Sequence, residues 1–420
     1  MVEIGILGVG TVGASVANIL EENADIIEAR AGKRIVVKQG VVKNLSKDRD
    51  VNIAISDNPS DILDDVEIDI VVELMGGVEE PYELVKKALK NGKAVVTANK
   101  ALLAYHRYEL QELAGDLPLM YEASTAGGIP VIGALRNGLA ANHILSIQGI
   151  MNGTTNYMLT KMIQDGAQYK EVLQEAQELG YAEADPTFDV GGFDASHKLL
   201  ILASIAYGID AKPEDILIEG IENITQTDVA FAKEFGYEIK LLGIAKKVDN
   251  GVELRVHPTL IPQSSMIAKV DGVMNAVSVI GDRVGETMYY GAGAGGDATA
   301  SAVIADIVDI VRGNHGPMLG YKKGLESGFK LLPKDEIITQ YYLRMEVSDE
   351  SGVLAIISKA LEKFGISIES ILQKPATTSK NAKLLFTTHK TQEREMQKAI
   401  VALAKLDVVQ GEIAMMRIEK

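Results

Sequence analysis

The chain has 420 residues, a length at which two or three domains are expected. Hydrophobic residues make up 47% of it and charged residues 24%, which excludes a mainly disordered, collagen-like or coiled-coil protein. The net charge of −16 makes duplex nucleic acid an unfavourable partner, and the absence of cysteine excludes disulfides, cysteine-bound zinc and a thiol nucleophile.

The sequence contains no apolar stretch that approaches the roughly 20 residues of a membrane-spanning helix. Its N-terminus leads almost directly into a predicted strand and carries no recognisable cleavable signal. We therefore expect a cytoplasmic protein without a membrane partner.

The first part of the chain alternates short apolar runs with helical periods, a pattern typical of a parallel α/β sheet. The predicted strands are residues 2–8, 35–42, 68–74, 94–97 and 119–122, and the predicted helices are residues 12–22 and 81–91. We predict a Rossmann-type nucleotide-binding domain over residues 1–142.

The middle part separates its helices from a run of strands, which indicates an α+β domain. The predicted strands are residues 144–151, 240–247, 252–258, 276–280 and 287–290, and the predicted helices are residues 154–164, 169–179, 195–206 and 297–312. We predict a substrate and dimerisation domain over residues 143–318, whose last helix is able to pack back on the first domain.

A segment rich in Gly, Pro and Lys follows and predicts a linker at residues 319–338. The remaining elements follow the order strand, helix, strand, strand, helix, strand. They are residues 341–347, 353–364, 366–373, 382–388, 393–405 and 413–418. This order predicts a ferredoxin-like βαββαβ domain over residues 339–420.

A complete G-x-G-x-x-G motif lies between the first strand and the first helix. It consists of Gly8, Gly10 and Gly13, with Thr11 and Val12 between the last two glycines. The glycines permit a tight turn, a close approach of a pyrophosphate and close packing of helix on strand, while the helix N-terminus faces the anion. The motif predicts dinucleotide binding; a merely tight structural turn is the alternative.

The second strand gives a hint about which dinucleotide binds. NAD-binding domains commonly place Asp or Glu at its end to bind the ribose 2′-hydroxyl, and this chain places Lys43 there with Lys47 nearby. The pattern favours the 2′-phosphate of NADP over NAD. The alternative is that both lysines are solvated loop residues.

An acidic segment precedes the helix predicted near residue 195. Glu183, Asp185, Asp189 and Asp194 lie within twelve residues, and Asp194 shares a helix face with Lys198 four positions later. The apolar run after Lys198 partly desolvates its ammonium while the neighbouring carboxylate stabilises it, a balance suited to proton exchange. Solvated acids with an ordinary ion pair, a cation site and recognition of a substrate ammonium remain alternatives.

The chain carries Asn99-Lys100 after a strand, EASTAGGIP at residues 122–130, GIMNGTTNY at 149–157 and GAGAG at 291–295. Together with residues 180–198, these stretches resemble homoserine dehydrogenase. The last 80 residues, with DESGVL at residues 349–354, resemble an ACT domain, so the chain is similar to the longer, regulated form of that enzyme.

The resemblance implies roles for five residues of the active site. Lys198 matches the catalytic lysine that exchanges the proton of the substrate hydroxyl, and Lys100 matches a second active-site lysine. Glu183 and Asp194 match residues that hold homoserine, and Gly180 matches a position that lines substrate and nicotinamide.

The resemblance also implies cofactor and cation contacts. It places Thr97, Lys100, Gly180, Gly291 and Gly293 at the cofactor, and Lys43 where many members have Arg. It further implies a sodium site of backbone carbonyls. Those carbonyls belong to Glu122, Thr125, Gly127 and Ile129, with Thr125 in place of the usual Val.

The implied activity is the reversible NAD(P)-dependent interconversion of L-aspartate 4-semialdehyde and L-homoserine in threonine, methionine and isoleucine biosynthesis. NADP is the preferred cofactor, L-threonine the expected effector of the ACT domain, and a homodimer or homotetramer the expected assembly. The alternatives are a non-catalytic NAD(P)-binding amino-acid sensor and another ACT-bearing dehydrogenase.

Overall fold

The computed structural model describes residues 1–249, 251–325, 328–375 and 381–420. The chain forms two compact units, each built from three segments. The first unit comprises Met1–Gly153, Asp194–Glu214 and Val273–Lys330, and the second comprises Thr154–Phe193, Asp215–Gly272 and Leu331–Lys420. In the described part of the chain, no helix is long and apolar enough to cross a membrane.

The first unit contains a six-stranded parallel sheet. In spatial order its strands are Ala54–Ser56, Ile35–Val41, Val2–Leu7, Ile68–Glu73, Ala94–Thr97 and Leu119–Met120. The strand order reverses between Val2–Leu7 and Ile68–Glu73, and ligands of such sheets bind beyond the carboxyl ends at this point.

The first unit also contains helices and a small antiparallel sheet. The helices are Thr11–Glu22, Ala24–Ala31, Ser60–Leu63, Glu79–Lys90, Lys100–Ala114, Val131–Gly133, Phe193–Tyr207 and Gly296–Arg312, with irregular turns at Glu122–Ser124 and Ala134–Gly138. The antiparallel strands are Ile144–Ile150, Met274–Gly281 and Gly285–Ala292. Val303 and Ile307 from the last helix share one hydrophobic core with Val16 and Leu20 of the first.

The second unit combines an antiparallel hairpin with the predicted ferredoxin-like module. In spatial order its main strands are Tyr237–Val248, Gly251–Pro262, Val409–Ile418, Ile338–Ser348, Asn381–Thr388 and Ile368–Pro375, with short strands at Leu217–Ile218 and Thr391–Gln392. Its helices are Gly153–Gln164, Tyr169–Glu178, Thr187–Val190, Gln226–Glu234, Val353–Glu362 and Glu393–Leu403, with 3-10 turns at Ile267–Lys269 and Lys334–Glu336. The 3-10 turn Pro213–Asp215 lies where the chain passes from the first unit to the second.

The C-terminal strand Val409–Ile418 joins the two parts of this second sheet. It pairs antiparallel with Ile338–Ser348 inside the ferredoxin-like module. At Thr259 and Leu260 it also pairs in parallel with Gly251–Pro262 of the hairpin. The module is therefore continuous in hydrogen bonding with the hairpin.

Candidate active site

The glycine motif forms a tight turn at the carboxyl end of the first strand. Gly8 has a φ of 100°, and a Cβ there would lie 2.7 Å from the carbonyl oxygen of Leu74. A Cβ on Gly13 would lie 2.4 Å from the Gly8 carbonyl oxygen, whereas one on Gly10 would meet nothing within 4 Å. Gly8 and Gly13 thus permit close packing, and Gly10 leaves open space before the helix N-terminus, where a pyrophosphate is expected.

Basic side chains follow the second strand. Lys43 is exposed and its ammonium lies 2.6 Å from the Glu80 carboxylate. Arg49 was missed by the sequence analysis: its Nε donates to the Val9 carbonyl at 2.8 Å and its Nη1 to the Lys47 carbonyl at 2.7 Å. The Arg49 guanidinium therefore contacts the glycine turn. The alternating charges around Arg49 in the sequence did not indicate this contact.

Two neighbouring strands of the parallel sheet end in a buried hydrogen-bonded pair, Glu73 and Thr97. The Glu73 carboxylate accepts the Thr97 hydroxyl at 2.6 Å and the Met75 N–H at 2.8 Å. Burial raises the pKa of Glu73 above its ordinary value, and these hydrogen bonds oppose that rise. The pair fixes the carboxyl ends of both strands relative to each other.

Asn99 converts that strand end into the start of a helix. Its backbone N–H donates to the Thr97 hydroxyl at 3.0 Å, and its side-chain oxygen accepts the Leu102 N–H at 3.0 Å. The latter is an N-cap, and the capped helix begins at Lys100. The chain from Glu73 to Asn99 thereby determines where Lys100 stands.

A buried carboxylate holds two lysines at the centre of this unit. The Lys198 ammonium lies 2.7 Å from one Asp194 oxygen and the Lys100 ammonium 3.0 Å from the other. The Asn152 amide donates to Asp194 at 2.9 Å, and Lys198 also donates to the Met151 carbonyl at 2.6 Å. The structure thus brings together three of the predicted residues and adds Asn152.

The charge balance of this cluster favours an ionised carboxylate. Asp194 is 3% exposed, and burial alone would raise its pKa. The ammonium groups of Lys198 and Lys100, with hydrogen bonds from Lys198 and Asn152, outweigh burial and hold the pKa of Asp194 well below its ordinary range. A fixed anion between two cations can orient ammonium groups toward a reacting oxygen.

His197 precedes Lys198 on the same helix, Phe193–Tyr207. It is buried, and its ring packs edge-on against Tyr105 with centroids 5.7 Å apart. Burial lowers the pKa of His197 to about 4, so the ring is neutral near pH 7.

Gly180 and Glu183 lie in the second unit. Gly180 has a φ of 75° and follows the helix Tyr169–Glu178. The loop after it is held by the Thr154 hydroxyl, which donates to the Tyr181 carbonyl at 2.6 Å, and by the Gln177 amide, which donates to the Glu183 carbonyl at 3.1 Å. The Glu183 side chain is exposed.

The turn predicted to hold sodium is buried and sharply curved. Ala126 and Gly127 have φ values of 56° and 52°, two consecutive residues in the left-handed region. The hydroxyl oxygens of Ser124 and Thr125 are buried without a hydrogen-bond partner among the described residues. Curved backbone with oxygen-only donors suits a small hard cation. Residues 1–249, 251–325, 328–375 and 381–420 contain no His, Cys, Asp and Glu group that could hold a metal.

The glycine-rich run at residues 291–296 packs against both the turn at residues 122–129 and the helix Thr11–Glu22. A Cβ on Gly293 would lie 2.0 Å from the Asn275 amide nitrogen, and one on Gly291 would lie 3.1 Å from Ile129. A Cβ on Gly296 would lie 2.7 Å from the Ser15 hydroxyl. The run therefore needs glycine for close approach.

Comparison with known proteins shows which family the chain resembles. Residues 8–117 match the model for the homoserine dehydrogenase NAD-binding domain, residues 130–308 match that for homoserine dehydrogenase, and residues 341–408 match that for the ACT domain. A homoserine dehydrogenase of Helicobacter pylori is 56% identical over 99% of this chain and 98% of its own. The chain belongs to the homoserine dehydrogenase family.

Solved homoserine dehydrogenases share the fold. A structure from Thiobacillus denitrificans has a TM-score of 0.95 at 46% identity and covers 100% of this chain and 98% of that one. A hyperthermophilic archaeal homoserine dehydrogenase in complex with NADPH has a TM-score of 0.61 at 29% identity and covers 73% of this chain and 97% of that one.

These findings confirm the predicted family and fold class. The activity is that of a homoserine dehydrogenase, an oxidoreductase with an NAD(P)-binding Rossmann-type domain and a C-terminal ACT domain. The roles of individual residues, the cofactor preference and the effector stay predictions.

Proposed function

We propose that this homoserine dehydrogenase interconverts L-aspartate 4-semialdehyde and L-homoserine reversibly in threonine, methionine and isoleucine biosynthesis, with NADP preferred over NAD. The observation that supports the chemistry best is the Asp194 carboxylate, which holds Lys198 and Lys100 within 3.0 Å in the unit that carries the glycine turn. Two oriented ammonium groups suit a reaction in which an aldehyde oxygen becomes a hydroxyl.

In the biosynthetic direction a bound reduced cofactor would supply a hydride to the aldehyde carbon. The Lys198 ammonium donates a proton to the aldehyde oxygen, so the carbonyl becomes a hydroxyl group and Lys198 becomes a neutral amine that solvent reprotonates. Lys100 polarises the same oxygen, and Asp194 keeps both ammonium groups in place. Holding the reactants in contact removes much of the entropic barrier.

Substrate recognition is proposed for the loop of the second unit. Glu183 binds the substrate ammonium through its exposed carboxylate, and Gly180 lines the space for substrate and nicotinamide. Asp194 acts on the substrate mainly through the two lysines that it orients, because both of its oxygens already bind them.

The cofactor is proposed to bind along the glycine turn. The residues assigned to it are Gly8, Gly10, Thr11, Val12, Gly13, Lys43, Thr97, Lys100, Gly180, Gly291 and Gly293. The preference for NADP is supported by the missing acid after the second strand, by Lys43 and by the Arg49 guanidinium beside the turn. A hyperthermophilic archaeal homoserine dehydrogenase has been solved in complex with NADPH, which supports binding of this dinucleotide.

Sodium is proposed to bind the carbonyl oxygens of Glu122, Thr125, Gly127 and Ile129. The buried left-handed turn fits such a site, and a cation there would rigidify the turn against which the residue 291–296 run packs. Its contribution is structural, since no proton transfer is assigned to these residues.

The ACT domain is proposed to bind L-threonine and to inhibit the enzyme, which we place in the cytoplasm as a homodimer or homotetramer. The domain bounds proposed are 1–142, 143–318 and 339–420, with a linker at 319–338.

The first experiment measures initial rates with L-homoserine and either NADP or NAD, with and without L-threonine, by absorbance of the reduced cofactor. Lys198→Ala should abolish turnover while NADPH affinity stays near the wild-type value. Lys86→Ala is the matched control, since Lys86 is half-buried and its ion pair with Glu83, three residues earlier on the helix Glu79–Lys90, involves none of the proposed site residues. Turnover of Lys198→Ala close to wild type would overturn the proposed mechanism.

A further inference from the structure

Two helices carry the two lysines and the carboxylate of the candidate active site. Helix Lys100–Ala114 begins with one lysine, Lys100. Helix Phe193–Tyr207 carries Asp194 and Lys198 in its first two turns. The Lys100 ammonium lies 3.0 Å from the Asp194 carboxylate, so the beginnings of the two helices meet there. The contacts that hold the rest of these helices together therefore affect the geometry of the site.

Arg107 links the two helices at a distance from these charged groups. It follows Lys100 by seven residues, which is about 10 Å along the helix axis. Its Nε donates to the Ser204 hydroxyl at 2.5 Å, and its Nη2 donates to the Ala211 carbonyl at 2.6 Å. Its Nη1 donates to the Ala104 carbonyl at 2.7 Å. One guanidinium therefore binds its own helix together with the last turn of the other helix and the residues after it.

Contacts between the helices follow one another in the same direction along both. Beyond the active-site contact, the Tyr105 ring packs edge-on against His197, with centroids 5.7 Å apart. The bond of Arg107 to Ser204 comes next. Residue numbers rise along both helices from each contact to the next, so the two helices run in the same general direction. A change at Arg107 therefore alters the angle between them.

The chemistry of Arg107 indicates orientation rather than stability. Its side chain is 2% exposed, and its hydrogen bonds go to neutral acceptors, a hydroxyl and backbone carbonyls. The Asp210 carboxylate lies 3.6 Å from its Nη2 and is largely exposed. Burying a charge costs free energy, and an apolar side chain of similar volume often stabilises a core at least as well. The rigid fork of guanidinium donors, however, fixes the geometry of the groups that it binds.

We propose that Arg107 is a positioning residue for the reaction. The N-cap at Asn99 fixes where helix Lys100–Ala114 begins, and Arg107 fixes the direction of its axis. Together they determine where the Lys100 ammonium stands relative to Asp194. A misplacement of about 1 Å in an active site lowers a rate by about 100-fold. The inference rests on the role proposed for Lys100, which polarises the reacting oxygen.

The experiment is a double-mutant cycle on kcat/KM for L-homoserine in the full-length protein. Arg107→Met keeps a long side chain without hydrogen-bond donors, and it is made in the wild type and in Lys100→Ala. Ser204→Ala removes the hydroxyl that accepts from Arg107 Nε and leaves the carbonyl bonds, so it repeats the cycle with a smaller change. Leu110→Ala is the matched control, since Leu110 is a buried apolar residue of the same helix. Urea unfolding verifies that every variant is folded.

Arg107→Met should lower kcat/KM by about 30- to 100-fold in the wild type, but by less than about threefold in Lys100→Ala, where the group that it positions is missing. Ser204→Ala should show the same pattern, with a loss of about three- to tenfold in the wild type. Leu110→Ala should destabilise the fold and leave kcat/KM within about threefold. Glu183→Gln should lower kcat/KM equally in the wild type and in Lys100→Ala, which shows that a further loss is measurable there.

Equal fold losses from Arg107→Met in the wild type and in Lys100→Ala would overturn the positioning role, because a merely structural residue acts independently of Lys100. If Arg107→Met does not fold, the Ser204→Ala cycle decides by the same criterion. A wild-type kcat/KM in Lys100→Ala alone would instead contradict the role of Lys100 in the proposed function. The two failures are therefore distinguishable.

Discussion

Replacing Asp194 by Asn tests how the active-site charges are balanced. Asn has nearly the same size and keeps a hydrogen-bonding oxygen, so the change removes the negative charge and little else. The ammonium groups of Lys198 and Lys100, now 2.7 and 3.0 Å from a carboxylate oxygen, would then face each other without the anion between them. We expect them to separate and lose their common orientation.

The size of the effect follows from these distances. At 2.7 and 3.0 Å and an effective dielectric constant of about 20, each ion pair attracts by roughly 5–6 kcal/mol. The cost of keeping the charges out of water offsets most of this attraction, and deletion of one partner of a buried pair costs about 3–5 kcal/mol. The free energy of unfolding should fall by about that amount, and kcat should fall by about 10²–10⁴ because proton transfer loses its positioned donor.

The assay combines kcat and KM for L-homoserine with urea unfolding and with NADPH binding. NADPH affinity should stay near the wild-type value, because the glycine turn is untouched. Asp185→Asn is the control: Asp185 is an exposed acid of the same segment whose carboxylate accepts the Thr187 N–H at 3.1 Å. A kcat for Asp194→Asn within about threefold of wild type would refute the role given to this carboxylate.

Four further changes have defined outcomes. Because the pKa of His197 is about 4 when folded and near 6.5 when unfolded, stability should fall by about 3 kcal/mol as pH drops from 6.5 to 4, and His197→Asn should flatten that slope in thermal unfolding. Glu73→Ala removes the acceptor of the buried Thr97 hydroxyl and of the half-buried Met75 N–H, so the free energy of unfolding should fall by about 1–3 kcal/mol in urea and kcat should fall as well. Gly293→Ala places a Cβ 2.0 Å from the Asn275 amide nitrogen, so the loop must shift. The free energy of unfolding should fall by about 1–3 kcal/mol, and the KM for the cofactor should rise. Arg49→Ala should raise the KM for NADP by about tenfold and leave that for NAD unchanged.

Each of these changes has a control and a contrary result. Tyr105→Phe, which keeps a ring against His197, should keep the wild-type pH slope, and an unchanged slope in His197→Asn would contradict the linkage argument. Glu73→Gln should keep most of the wild-type free energy of unfolding. Equal losses of that free energy in Glu73→Ala and Glu73→Gln would contradict the role given to the Glu73 hydrogen bonds. Gly316→Ala meets no atom within 4 Å and should be neutral. Lys33→Ala, at an exposed lysine before the second strand, should affect the KM of both cofactors little, and equal KM changes for NADP and NAD in Arg49→Ala would exclude recognition of the 2′-phosphate by Arg49.

The parallel sheet could be predicted because buried strands appear as short β-branched runs between turn signals. Residues 68–74 and 94–97 were predicted as strands and form Ile68–Glu73 and Ala94–Thr97. Helix Lys100–Ala114 was missed, since polar residues interrupt its apolar period. Its Arg107 is buried through tertiary bonds, including one to the Ser204 hydroxyl at 2.5 Å.

Helix Gln226–Glu234 was also missed, although a local signal existed. Thr225 and Asp228 form a capping box at its start, a pattern of Ser or Thr followed three residues later by an acid that marks helix N-termini. Short strands such as Ala54–Ser56 give no such signal, because three residues cannot establish a period.

One contact of the candidate active site could be predicted from the local sequence, and another could not. The contact of Asp194 with Lys198 follows from their spacing on one helix. The contact of Lys100 with Asp194 joins positions 94 residues apart and depends on the fold of the whole unit. The family resemblance supplied Lys100 as an active-site lysine, but neither spacing nor resemblance predicted that one carboxylate would hold both ammonium groups.

The parallel pairing of Val409–Ile418 with Gly251–Pro262 affects how the chain tolerates shortening. Termination before residue 338 would leave part of the Gly251–Pro262 edge without its partner strand, a surface prone to intermolecular strand addition. It would also remove Glu419, one of the two carboxylates that pair with the fully buried Arg255, at 2.5 Å, and leave Glu253 at 2.9 Å as the other. The ACT module therefore also covers part of the edge of the Gly251–Pro262 strand, and a shortened form of this chain would require a redesigned edge in order to remain monodisperse.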